Sequence, residues 1–230
     1  MAGFPHPLLR PAATMTSIFQ TSLLLALLLV PFSPLLAQNE ADVYGQAEFD
    51  RIEKYFAYGN RVQDRHEKER YLAYSVRAYR KFLRAYPGHQ TAAKASYHLG
   101  YALQALGQTA EASRQYQSVI DTHRNGHYVG AAARQLAYLA EASQNHQGAA
   151  RYFQTAAQNL NDQQLRWSAL AKEAHNLIRA KDRPAAIAAL QVIIGEPGNP
   201  HHDWARFSLG YQHHLAKNTE KAIEILAPLT

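Results

Sequence analysis

The pattern that begins at Ala95 and runs to Ile120, ASYHLGYALQALGQTAEASRQYQSVI, returns along the chain at an interval of about 37 residues. Leu99-Gly100 with Ala112 and Tyr116 is matched by Leu136-Ala137 with Ala149 and Phe153, then by Ala186 with Leu190, then by Leu209-Gly210 with Ala222 and Leu226. Upstream, Tyr79, Phe82 and Leu83 mirror Tyr116, Val119 and Ile120. Within the unit, Leu99, Leu103 and Leu106 are spaced for one helix face, as are Ala112, Tyr116, Val119 and Ile120. Gly107-Gln108-Thr109 separates the two runs. Gly107 suits the left-handed backbone after a helix, and Thr109 is expected to cap the second helix by accepting an orphan N–H. One such hairpin leaves an apolar face in water, whereas stacked copies bury a continuous core. The sequence therefore predicts an all-α array of about five helical hairpins. Leu99 belongs in its core, and Gly100 at a close helix crossing is expected to accept alanine but refuse leucine.

With Leu-Gly in the first helix and Ala then an aromatic in the second, the units resemble the tetratricopeptide repeat family, although the period exceeds the usual ~34 residues by about three. The resemblance runs from about Tyr71 onward. The segment Phe82-Leu83-Arg84-Ala85-Tyr86-Pro87-Gly88-His89, leading to Ala95-Ser96-Tyr97-His98-Leu99-Gly100, is similar to the longer repeats of bacterial envelope members. Those include Tol–Pal-associated cell-division coordinators and the lipoprotein of the outer-membrane assembly machine. The resemblance implies a right-handed superhelix whose inner, concave surface is lined by the first helices.

In that family the lining residues sit at the second, fifth, ninth, twelfth and thirteenth places of a repeat. With Leu99, Leu136, Glu173 and Leu209 as the seventh place, those slots carry Lys94, Tyr97, Tyr101 and Gln104, then Arg134, Tyr138 and Glu141. They continue with His175 and Arg179, then Trp204, Phe207, Tyr211 and His214. Lys94, Tyr97, Tyr101, Arg134, Tyr138, Arg179, Trp204, Phe207 and Tyr211 are accordingly the expected partner-binding set. An aromatic and basic groove of this kind suits a protein or peptide segment with apolar side chains and some negative charge. The alternative for any one tyrosine is packing between adjacent repeats. Tyr97 and Tyr101 stand where the chaperone-binding subgroup carries a Lys and Asn carboxylate clamp, so that class of partner is not expected.

Residues 1–37 stand outside the array: Arg10 is the only charge before Glu40, and Ser22 to Val30 reads SLLLALLLV. A basic residue, an apolar run shorter than the ~20 residues of a spanning helix, and a small residue before a polar stretch are what a secretory signal requires. Cleavage after Ala37 is expected, giving a periplasmic or secreted chain, with an uncleaved inner-membrane anchor as the alternative and Met15 as a second possible start. The expected division is a signal peptide at 1–37, a divergent first hairpin at 38–92 and the repeat array at 93–230. In the first hairpin, Val43, Ala47, Ile52, Tyr55 and Phe56 predict a helix ended by Gly59-Asn60, and the charged run Arg61 to Arg70 is read as helical. Pro184 fits the first turn of a helix, and Gly195 to Pro200 reads as an inter-repeat turn.

The chain has no cysteine, which excludes disulfides, thiolate metal sites and a lipid-bearing thiol. Removing residues 1–37 takes away one arginine and leaves 23 basic against 18 acidic residues. That mild balance, without a basic arm, does not predict nucleic-acid binding. His201-His202 and His213-His214 are adjacent pairs whose members point about 100° apart on a helix, and neither predicts a metal centre. His66-Glu67 lacks the second histidine of a zinc-protease helix, since Arg70 stands there. No phosphate loop or nucleophile elbow is present, and no cofactor or small-molecule substrate is expected. The reading is a non-catalytic envelope adaptor that holds a partner segment on its concave face. The alternatives are a self-associating structural component, through Ile223, Ile225 and Leu229 of the last hairpin, or the helical arm of a larger peptidoglycan-processing protein.

Overall fold

The computed structural model describes residues 34–123 and 126–229, and the chain divides into two compact units, Met1–Tyr44 and Gly45–Thr230. The leucine run Ser22 to Val30 and the expected signal lie mostly outside the described residues. Among the described residues the regular structure is helical throughout. The elements are α1 (Pro34–Arg61), α2 (Arg65–Ala85), α3 (Ala92–Ala105), α4 (Thr109–Thr122) and α5 (His127–Ala142). They continue as α6 (His146–Asn159), α7 (Gln163–Arg179), α8 (Arg183–Gly195), α9 (His202–Leu215) and α10 (Thr219–Leu226), with a short 3₁₀ turn at Ala227–Leu229.

Each helix packs on its chain neighbour from α2 onward, and the apolar positions predicted from periodicity form the cores of the Gly45–Thr230 unit. Phe49, Ile52 and Phe56 of α1 meet Tyr79 and Phe82 of α2, and Leu99, Leu103, Tyr116 and Val119 continue the same cluster. Ala137, Ala149, Phe153 and Ala169 build a second cluster, and Leu177, Ala186, Leu190, Ile193 and Leu209 a third. Tyr79, Tyr116 and Phe153 are fully buried. Burial of a large apolar side chain contributes about 1.5–3 kcal/mol, which is why the aromatic place recurs in the second helices.

The hairpin turns carry a second recurrence. The backbone is left-handed at Gly107, with φ +76, and again at Gln144, Lys181 and Lys217, with φ of 60, 59 and 60. The following residue is the cap of the second helix in each case. Asn145, Asp182 and Asn218 accept backbone N–H donations from Gly148, Ala185 and Lys221, whereas Gln108 makes no side-chain cap bond. Thr109 is thus not the cap expected of it. It is already helical, and its carbonyl accepts the Ser113 hydroxyl.

Four further expectations are corrected. Gly59 does not end α1, which continues to Arg61; it lies where α1 crosses the start of α2, and an added Cβ would stand 3.0 Å from Tyr71 Cβ. Gly100 has no room even for alanine, because a Cβ there would lie 2.7 Å from Cε1 of the buried Tyr116 ring. Gly210 meets Leu226 in the same way. Ile225 packs against the third cluster instead of facing solvent, so only Ile223 and Leu229 of the expected apolar end are exposed. The charged run divides as helix and break: Val62 to Asp64 separate α1 from α2, and Asp64 caps α2 by accepting the Glu67 N–H at 2.7 Å.

Candidate binding face

Neighbouring first helices α1, α3, α5 and α7 touch one another through polar and aromatic side chains. At its start, Glu53 of α1 takes three donors. Its Oε1 lies 2.7 Å from His98 Nδ1 and also accepts the Tyr79 hydroxyl, and its Oε2 pairs with Lys94 Nζ at 2.8 Å. Burial works to raise the Glu53 carboxyl, but hydrogen bonds from His98, Lys94 and Tyr79 outweigh it and hold the group down at about 2. Burial and the same carboxylate push the Tyr79 phenol up, so it remains a donor. Lys94 is thus committed within the fold, with its ammonium also 5.1 Å from the Phe49 ring centre.

Aromatic rings surround this cluster. Phe56 stacks on His98 at 4.6 Å between centres and meets Tyr101 edge-on at 5.9 Å. Tyr97 is half-buried against Tyr116 and Tyr128, at 5.9 and 5.8 Å, so it packs between repeats as the alternative reading held for single tyrosines. Tyr101 is 40% exposed and offers its ring to solvent.

Farther along, Asn176 of α7 is fully buried and donates to Glu141 Oε1 at 2.7 Å. Lys172 reaches the same carboxylate at 3.3 Å and lies over the Tyr138 ring. His146 bonds Asn176 Oδ1 through Nδ1 at 3.1 Å, and Arg179 donates to the other nitrogen of that imidazole at 3.2 Å. These bonds tie α5, α6 and α7 together. His175, exposed nearby, is held below the usual histidine range by burial and by Lys172 and Arg179, and is neutral at pH 7. Between α7 and α9, Lys172, His175, His201 and Trp204 border a hollow of about 300 Å³.

Arg134 of α5 is half-buried, and its Nε is buried without a hydrogen-bond partner among the described residues. A polar atom left this way costs stability unless something binds it. Tyr138, Trp204, Phe207 and Tyr211 are exposed at 39, 36, 59 and 50%, with Tyr211 stacked on His214. Of the nine residues singled out from sequence, Tyr101, Tyr138, Arg179, Trp204, Phe207 and Tyr211 are exposed and Lys94, Tyr97 and Arg134 are half-buried, with Lys94 and Arg179 held in polar contacts within the fold. Sequence reasoning missed Glu53, His98, Tyr128, Lys172 and Asn176. Lys172 and Asn176 flank the scored slots by one residue, so a full helical wheel would have placed them beside the face.

Among the described residues no group of three or more His, Asp or Glu side chains is placed to hold a metal ion, and no helix is long and apolar enough to cross a membrane. Residues 94–126 match the tetratricopeptide repeat family. No curated protein matches the sequence. Among solved structures, a MamA protein is similar with a TM-score of 0.52 at 18% identity, covering 80% of this chain and 88% of that one. A tetratricopeptide repeat protein from Parabacteroides merdae ATCC 43184 is similar with a TM-score of 0.53 at 14% identity, covering 80% and 67%. At such identities the likeness is one of fold, and the chain has the helical-hairpin solenoid fold of tetratricopeptide repeat proteins.

Proposed function

We propose that this protein is a non-catalytic interaction scaffold of a bacterial cell envelope, exported by a signal cleaved near Ala37, that holds a segment of a protein partner along its first-helix face. The observation that carries this reading is the set of exposed rings at Tyr101, Tyr138, Trp204, Phe207 and Tyr211 on the first helices, with the half-buried guanidinium of Arg134 one turn from Tyr138. Tyrosine and tryptophan provide large contact area at small cost in side-chain entropy, and a guanidinium forks onto a carboxylate. The partner segment is therefore apolar with an acidic residue. The polar clusters at Glu53 and Glu141 support the reading by fixing neighbouring first helices to each other, so the face is preformed and binding orders little of it. Affinity capture from a periplasmic extract tests it. The intact protein should retain a partner that Tyr101→Ala and Arg134→Glu each lose while remaining folded, and equal retention by both variants would move the site elsewhere.

Self-association is a second reading, favoured by the exposure of Ile223 at 65%, Leu215 at 45% and Leu229 at 38% on the last hairpin. Apolar exposure of this kind marks an interaction site or an aggregation liability. Sedimentation should show a concentration-dependent rise in mass that Ile223→Lys abolishes, and a monomer at all concentrations would discard it.

A further inference from the structure

A hollow of about 680 Å³ runs along α7 between α6 and α8, far larger than the one beside Trp204 and within the range of small-ligand sites. Small residues make it: Ala150 and Ala157 stand on the α6 wall, Ala188 and Ala189 on the α8 wall, and Leu170 and Leu177 of α7 form the floor. Between those two leucines lies Glu173, only 7% exposed. It occupies the place filled by Leu99, Leu136 and Leu209 in the other repeats.

The charged neighbours do not neutralise it. Arg166 of α7 is turned to Glu196 at 3.5 Å, an acid whose Oε2 also accepts the Trp167 indole N–H at 2.6 Å. Arg151 of α6 lines the same hollow and is exposed. Glu173 makes no ion pair among the described residues, and Gln154 of α6 is its hydrogen-bonding neighbour. Burial pushes its carboxyl up to about 7, against the Gln154 hydrogen bond. A carboxyl in a leucine slot weakens the core, yet it provides a deep acceptor at the floor of an apolar hollow. The group that complements it is a cation on an apolar stem.

We propose that this hollow binds an alkylammonium group, with Glu173 as its counter-ion, Gln154 accepting a further ammonium hydrogen, and the methylene stem lying against the alanine walls and Leu170. Two sources share that chemistry, a free alkylamine and the side chain of a lysine presented by a protein. Binding requires the carboxylate, so affinity rises as pH increases through about 7. Arg151, Arg166 and Glu196 are the other charged groups facing the hollow, and Glu196 is already satisfied by Arg166 and Trp167.

Titration calorimetry of the full chain with n-hexylammonium, n-hexanol, hexanoate and acetyl-lysine methylamide tests the site. At pH 8 an ammonium probe is expected to bind at least tenfold more tightly than hexanol, to weaken several-fold at pH 6, and to lose its advantage in Glu173→Gln and Glu173→Leu. The leucine variant restores the residue of the other repeats and keeps the fold, which circular dichroism verifies. Binding by either ammonium probe more tightly than by hexanol supports the site, the tighter of the two identifies its source, and ammonium binding no tighter than hexanol counts against it. Hexanoate binding more tightly than both ammonium probes, an ammonium advantage that persists in the two variants, or no binding by either ammonium would overturn it.

Discussion

Oε1 of Glu53 in α1 lies 2.7 Å from Nδ1 of His98 in α3, so one carboxylate joins the first helices of adjacent hairpins. Its folded value of about 2 lies below the ordinary 4.5, so its contribution is fully present above 4.5 and is lost as pH falls toward 2. Glu53→Gln is expected to cost about 1–3 kcal/mol at pH 6, because Lys94 and His98 lose a charged partner in a half-buried place. Urea unfolding at pH 6 and pH 3 checks this. The gap between the native protein and the variant should narrow at the lower pH, and an unchanged gap would show that the carboxylate is not the source.

Glu173 titrates in the opposite sense. Its folded value of about 7 lies above 4.5, so the unfolded chain binds fewer protons between those values and stability falls as pH rises through that window. Glu173→Leu should therefore stabilise the protein by about 1–3 kcal/mol at pH 8 and by less at pH 5. Thermal unfolding at the two pH values measures the difference.

Tyr116 fills the space over Gly100, and its hydroxyl is held by Gln104 at 2.9 Å, so the ring cannot swing aside. Gly100→Ala is expected to destabilise by about 1–3 kcal/mol through overpacking. Leu99→Ala, which removes a side chain buried at 3% exposure, should cost about 2–5 kcal/mol through lost burial and a cavity. Denaturant midpoints distinguish both from neutral changes.

Left-handed backbone at Lys181 holds a residue with a Cβ where Gly107 serves the equivalent turn. Lys181→Gly is expected to stabilise by about 0.5–1 kcal/mol, the relief of strain exceeding the extra freedom of the unfolded chain. A loss of stability in chemical unfolding would contradict this.

The hairpins were legible because Leu99, Tyr116 and their counterparts repeat at the spacing that burial demands. The turns were only half legible. Gly107 announces left-handed backbone, but Gln144, Lys181 and Lys217 adopt the same conformation without a residue type that signals it. Asn145, Asp182 and Asn218 did recur at the repeat interval, and their capping role could have been read from that register. On the first-helix face, ring positions such as Tyr101 and Phe207 followed from the slots that the family resemblance implies, counted along the repeat register. The partners of Lys94 did not, since Glu53 lies on a helix that lacks the Leu-Gly landmark and the pairing is a tertiary event. Gly100 shows the same limit: the pattern marks a close crossing, but only the position of the Tyr116 ring decides whether a methyl group fits.

The measurement that most directly tests the account is site-specific photo-crosslinking in the periplasm, with a photoreactive residue placed singly at Tyr101, Tyr138 and Phe207 on the first helices and at Lys81 and Ser118 on the second. All five positions are exposed. The account predicts that one partner protein is trapped from the first-helix positions and not from Lys81 or Ser118. Capture only from the second-helix positions, or from none of the five, would contradict it.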